Sequence, residues 1–179
     1  MDQKIPHHRY LHSFCYYPDM HFEAQEKDEE VILVLRAHPI TQISWIIASL
    51  FGVILLVVLN FFFPIFLNSR QIFFANFFLG TLILAYIWLN ILFYTFNVGI
   101  ITNKRIIDID FYSILYRETS ETRLKNVEDI TSKEAGYFGS FFHYGHVFVQ
   151  TAGTQVNIEF LNVPEPEEVV KIINGLLIH

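Results

Sequence analysis

Hydrophobic positions along this chain fall into two long unbroken runs, followed by shorter alternating ones. Ile43–Leu67 is twenty-five residues without a charge, eighteen of them Leu, Ile, Val or Phe. Ile72–Phe96 is a second uncharged run of twenty-five, with fifteen from the same set. At about 1.5 Å per residue each helix would reach roughly 37 Å, enough to cross a hydrocarbon core of about 30 Å with some tilt. Insertion at about −0.3 to −0.6 kcal/mol per such residue favours the first run by roughly 5 to 11 kcal/mol, an upper figure because terminal residues count for less. That run is too long and begins too far from Met1 for a cleaved signal peptide. A buried soluble hairpin would need a larger enclosing domain than the remaining residues can build. The pattern predicts a transmembrane hairpin over residues 41–96, with helices 43–67 and 72–96 joined by Asn68, Ser69, Arg70 and Gln71.

Beyond Phe96 the period changes. Residues 104–111 alternate, with Arg105, Ile107, Ile109 and Phe111 on one face and Lys104, Ile106, Asp108 and Asp110 on the other. Val147 and Val149 share a face, and Val156, Ile158 and Phe160 alternate with Gln155, Asn157 and Glu159. Thr102-Asn103 and Ala152-Gly153 read as hairpin turns. The last segment reads as a helix over 165–177: Pro164 and Pro166 stand at its entrance, and Glu165, Glu167 and Glu168 suit the positive end of its dipole. Its stripe of Val169, Ile172, Ile173 and Leu176 is expected to pack on the sheet. Residues 97–179 therefore form an antiparallel β domain with a C-terminal helix, and residues 1–40 an N-terminal segment.

Charge sets the orientation. Lys4, Arg9, Lys27, Arg36, Lys104 and Arg105 flank the hairpin, against Arg70 alone in its turn. The positive-inside rule then puts both termini in the cytoplasm of a multi-pass plasma-membrane protein. Trp45 and Tyr94 fall near the cytoplasmic helix ends, where amphipathic rings settle. The chain's net charge of −6 gives no basic field for nucleic acid. The one cysteine, Cys15, excludes an intrachain disulfide.

Two groups of residues suggest contacts. Ser44, Ala48 and Gly52 repeat every four positions, a small-residue stripe of the kind that lets membrane helices approach. If the hairpin folds about residues 69 and 70, Asn90 lies level with Ser49 and Asn60 with Leu79 and Gly80, so an Asn90–Ser49 hydrogen bond is expected. Tyr137, Phe138, Phe141, Phe142 and Tyr144 are dense enough to serve either as core or as an edge meeting membrane or partner. His7, His8, His12, Cys15, His21 and His38 crowd the N-terminal segment, but Pro6 and Pro18 break the helix that zinc ligation would need. His143 and His146 lack a visible carboxylate partner for acid–base work and are expected on a polar rim.

Several stretches resemble the bacterial pleckstrin-homology proteins in which a membrane hairpin precedes the sheet domain. The first runs from Phe22 through Gln25 and Glu29 into Val31–Arg36 and ends at His38; the second is Ile101–Ile107. Leu124–Ile130 and Tyr144–Gly153 complete the match, which covers roughly residues 22–177. The resemblance implies an α+β membrane protein: a two-helix transmembrane hairpin plus a PH-like antiparallel β-barrel capped by a C-terminal helix, with no established reaction. Eukaryotic relatives by fold bind phosphoinositides through basic residues at the first strand-to-strand loop. The tight Thr102-Asn103 turn and a local charge of −4 from Ile101 onward speak against that ligand here.

The resulting expectation is a non-enzymatic membrane protein without metal or cofactor, embedded in the lipid bilayer, whose PH-like domain binds a protein partner or forms a homo-oligomer. The alternative is a subunit of a pore or transporter, which the lack of ionisable residues deep in the two runs disfavours.

Overall fold

A computed structural model describes residues 13–16, 22, 25–113, 116–152 and 157–177. The chain divides into two units, residues 41–94 and the residues on either side of them.

The helical unit is an antiparallel pair. A 3₁₀ turn, Pro39–Gln42, leads into α1, Ile43–Phe66, and α2 spans Ser69–Phe96. Helix α2 starts three residues earlier than expected. Asn68 Oδ1 accepts the Gln71 N–H at 3.1 Å, while Gln71 Oε1 accepts the Asn68 N–H at 3.0 Å. This reciprocal capping box turns polar residues that read as a loop into a helix start. The connection is therefore only Leu67-Asn68. Both helices are long and apolar enough to cross a membrane, and only 6% and 0% of their most apolar windows are buried.

The sheet unit draws on both sides of the hairpin. Strands β1 (Phe14–Tyr16), β2 (Val31–Leu35), β3 (Val98–Thr102), β4 (Arg105–Ser113) and β5 (Tyr116–Arg123) form one antiparallel sheet in that order. Strands β6 (Val127–Glu134), β7 (Tyr144–Thr151) and β8 (Ile158–Pro164) form a second. Helix α3 (Gly136–Phe142) joins β6 to β7, and α4 (Pro166–Leu177) follows β8.

Two expectations need correction. Residues 1–40 are not merely a leading segment, because β2 pairs with β3, Leu35 opposite Gly99 and Leu33 opposite Ile101. The sheet domain thus extends beyond 97–179, and the two apolar helices are inserted between its second and third strands. Nor is there a closed barrel among the described residues. The 3₁₀ turn Leu124–Asn126, with Leu124 buried, carries the chain from β5 to β6 without a ladder between them.

The core lies between the sheets and under α4. All five residues of β2 are buried, and Leu33, Ile101, Ile106, Val147 and Val149 are sealed from solvent. Burying each such side chain contributes roughly 1.5 to 3 kcal/mol. Alternation in β8 puts Ile158 and Phe160 inward; Asn162, at φ 56°, then shifts the phase so that Val163 is also buried. The pairing between β7 and β8 breaks step there, between Gly145 and Val147. Val169 and Ile173, four apart on α4, are fully buried in the same cluster, as the helical stripe predicts.

Candidate functional site

Within the helical unit, residues at three- and four-residue spacing form the seam. On α1 these include Ser49, the one buried residue there, and Gly52, where an added Cβ would meet Ile83 Cγ1 at 3.6 Å. Ser44 and Ala48 are exposed, so the small-residue stripe does not lie in the seam beyond Gly52. The expected Asn90–Ser49 bond is absent: Asn90 Nδ2 donates to Tyr86 O at 2.8 Å, and Ser49 Oγ to Trp45 O at 2.7 Å. The polar link between helices is instead Asn60 with Asn76. Each amide donates to the other's carbonyl oxygen, at 2.8 and 2.7 Å. With the turn at Leu67-Asn68, residues facing each other have numbers summing to about 136, rather than 139, which moves Asn90 about one helical turn away from Ser49.

The aromatic run is on the surface. Tyr137 is 97% exposed, Phe138 73% and Phe141 74%, with Phe142 less so. Helix α3 presents them from a fixed base. The Ala135 N–H donates to Tyr144 O at 3.4 Å, and His143, at φ 54°, closes the helix with its N–H on Gly139 O. Gly139 is required there, since a Cβ would lie 2.7 Å from Tyr144 O. Ser140 Oγ donates to the Glu134 carboxylate. Tyr144 itself is half-buried and stacks on His38 at 5.6 Å. Burial holds the His38 imidazole below its ordinary pKa. His146 accepts the Asn162 N–H at Nδ1, 3.1 Å, which is a structural use of that ring.

A cluster that sequence reasoning did not assign a role is centred on Arg105. Its Nε donates to Glu29 Oε1 at 3.0 Å and its Nη2 to Oε2 at 3.1 Å; Nη1 reaches Glu121 Oε2 at 2.8 Å. The Glu29 side chain is 0% exposed. It also accepts the Thr102 hydroxyl at 2.8 Å and the Glu26 N–H at 2.8 Å. Burial alone would raise the Glu29 carboxyl, but these donors, Arg105 foremost, hold it below the usual glutamate pKa. Asn103 completes the clamp, exchanging backbone-directed bonds with Glu30 and donating Nδ2 to Asp28 O at 3.1 Å. The Arg105 guanidinium lies 5.7 Å from the Phe22 ring centre. Beside the clamp a cleft of about 170 Å³ is lined by Glu26, Arg105, Glu121, Thr122, Arg123 and Asn126. That is smaller than the roughly 300 Å³ at which ligand pockets begin.

A third group is acidic. Asp108 on β4 faces Ser120, and Asp110 faces Glu118. Burial, reinforced by Asp110, pushes the Asp108 carboxyl up to about 7, and Asp110 is raised by burial and by Glu118. Among the described residues no three His, Cys, Asp or Glu side chains gather as a metal site; His7, His8, His12 and His21 lie outside the described residues.

The family described as Bacterial PH domain matches residues 40–177. No curated protein matches the chain. Among solved structures, a DUF1696 family protein with a pleckstrin-homology domain from Shewanella loihica is similar at 16% identity and TM-score 0.37, over 45% of this chain and 70% of that one. A pleckstrin homology domain from Shewanella amazonensis is similar at 16% identity and TM-score 0.32, over 45% of this chain and 63% of that one.

Proposed function

Because this chain belongs to the bacterial PH-domain family, we propose that it is a non-enzymatic membrane protein that presents its sheet domain to a protein partner or to a second copy of itself. The observation that carries the reading is the outward face of the hairpin. Phe51, Phe61, Phe66, Phe73, Leu84 and Trp88 all point away from the seam and are exposed. A soluble protein rarely leaves so large a continuous apolar surface uncovered, and a bilayer covers it. Asn60 and Asn76 satisfy each other across the seam, so the hairpin carries its polar side chains without an unpaired amide in hydrocarbon. The same pairing supports a packing role for those amides over a ligand role in a transport path.

Cations on the flanks against Arg70 alone in the turn favour both termini in the cytoplasm. The exposed Ser44 and Ala48 offer helices of a second copy a close approach. Alkaline carbonate extraction of native membranes tests anchorage: the chain stays with the pellet, and release into the supernatant would sink the reading. Mild-detergent purification with mass spectrometry of what co-purifies tests the partner. A stoichiometric protein or a multiple of the chain's own mass supports it, and a lone monomer refutes it.

A further inference from the structure

The exposed aromatics of α3 are attached to one particular end of the sheet domain. β2 runs toward Arg36 and the lead-in to α1, and only Asn97 separates the end of α2 from the start of β3, with Leu35 opposite Gly99. His38, five residues before Ile43, donates its N–H to Asn162 O at 2.6 Å and stacks on Tyr144. Tyr144 opens β7 and is the residue against which α3 is fixed. The base of α3 is thus bonded to the segment that enters the first apolar helix. Five residues of chain span at most about 17 Å, so His38 itself stands no further than that from Ile43. The opposite end carries the β3–β4 turn and Lys125, joined through Leu124 N–H to Lys104 O at 3.0 Å.

We propose that α3 is a lipid-contacting foot, with Tyr137, Phe138 and Phe141 entering the headgroup layer of the bilayer that the apolar helices span. The inference rests on the membrane reading above and adds a second, separate contact with lipid. The Tyr137 ring suits that layer because its apolar body and hydroxyl meet both phases, and Phe138 and Phe141 add apolar area of the kind an interfacial helix buries at the headgroup boundary. Seven residues held by Tyr144 O, Glu134 and the His143 cap form a base stiff enough to present them without further ordering. Lys133 and Glu134 beside the helix balance in charge, so anionic lipid is not needed.

The test uses the full chain with Cys15→Ser, reconstituted in phosphatidylcholine vesicles and labelled at one introduced cysteine with an environment-sensitive fluorophore. Phe138→Cys and, separately, Tyr137→Cys probe the foot; both positions are exposed, so the fold tolerates them. Lys125→Cys is the aqueous reference, and Leu55→Cys on the outer face of α1 reports insertion. Lipids bearing a nitroxide near the headgroup are expected to quench the foot labels several-fold more than the Lys125 label, with iodide access reduced to match. Deep-chain nitroxide lipids quench Leu55. If Leu55 is quenched while the foot labels behave like Lys125, the foot is refuted and the anchor stands. If the foot labels are shielded from iodide yet unquenched by lipid, a protein covers α3 and the lipid assignment is overturned. If Leu55 is not quenched, both readings fall.

Discussion

Removing Arg105 tests the clamp most directly. Arg105→Ala deletes two charge-assisted hydrogen bonds to Glu29 and one to Glu121. The Glu121 bond counts for little, because that side chain is 60% exposed and an exposed pair contributes about 0 to 1 kcal/mol. Glu29 is different. Its side chain has no exposure, so losing the guanidinium strands a carboxylate away from water, at a cost of about 3 to 5 kcal/mol. Thr102 and the Glu26 N–H still solvate it in part, which favours the lower end of that range. The double variant Glu29→Leu with Arg105→Met removes the stranded charge but leaves the Glu26 N–H without its acceptor, while the Thr102 hydroxyl keeps the Arg105 backbone carbonyl at 2.9 Å. It should recover most of the loss and leave roughly 1 to 2 kcal/mol. The assay is urea unfolding of the sheet domain within the full chain in mild detergent, followed by near-ultraviolet circular dichroism, with Glu121→Ala as the exposed control. A loss below about 1 kcal/mol for Arg105→Ala, or one equal to that of Glu121→Ala, would refute the claim that a buried ion pair holds residues 25–30 on the β3–β4 turn. Because the folded Glu29 pKa is depressed, the contribution of this pair is present above the unfolded glutamate value and fades as pH falls below it.

Asp108 works in the opposite direction. Burial pushes its folded carboxyl up to about 7 from an ordinary 3.8, so the native state holds the proton and stability falls as pH rises through that window. At 1.36 kcal/mol per pH unit the full penalty is about 4 kcal/mol, and partial water access reduces it to about 2. Asp108→Asn should raise the melting temperature by roughly 5 °C at about pH 8 and leave it unchanged below about pH 4; an equal gain at both would show that charge is not the cause. In the hairpin, Asn60→Leu or Asn76→Leu alone should weaken helix association, and the double variant should recover it, with a coupling of about 0.6 to 1.7 kcal/mol in a mixed-micelle unfolding cycle. Zero coupling would mean that the two amides do not bond. Gly145→Ala would drive a methyl group into the Lys133 carbonyl and to 3.1 Å from Glu134 Cα, backbone that cannot swing aside, and should cost about 1 to 3 kcal/mol in thermal unfolding. Gly175→Ala, on α4 with nothing within 4 Å, should instead stabilise by about 0.5 to 1 kcal/mol; the reverse ranking would discredit the packing argument.

What periodicity could show was whatever depends on near neighbours. Hydropathy located both long helices, and the stripe on Val169, Ile172, Ile173 and Leu176 located α4. Alternation gave Ile158 and Phe160 their inward faces. The misses were of two kinds. A polar quartet, Asn68 to Gln71, reads as a loop by composition but as a helix start by the reciprocal bonding of its first and last side chains. That error displaced the assumed turn, and with it the depth matching that paired Asn90 with Ser49 in place of Asn60 with Asn76. The second kind is distance along the chain. Val31–Leu35 is buried on both faces, so it shows no alternation, and its partner strand lies on the far side of the apolar insertion. No local pattern reveals such a pairing. The exposure of Tyr137, Phe138 and Phe141 was undecided for a related reason: a short aromatic run reads alike as core or as surface until its neighbours are placed.

The residues through which the chain resembles its family turn out to be occupied with one another. Glu29, Thr102, Asn103, Lys104 and Arg105 all carried the resemblance, and all of them sit in the clamp: Lys104 Nζ donates to Lys27 O at 2.6 Å and approaches Glu26 at 3.6 Å. Arg105 has its donors on Glu29 and Glu121, so the most recognisable cation in the second stretch is not offered to an anionic headgroup. Their bonds span 73 to 77 residues, tying the segment that leads into β2 to the turn that follows β3. A motif of this kind marks how the fold accommodates the insertion, and a fold does not fix a ligand. The aromatic face of α3, with Tyr137, Phe138 and Phe141 exposed, is a surface the clamp leaves free. Functional variation within this architecture should therefore be sought in α3 and its flanks before the hydrogen-bonded turn at Thr102.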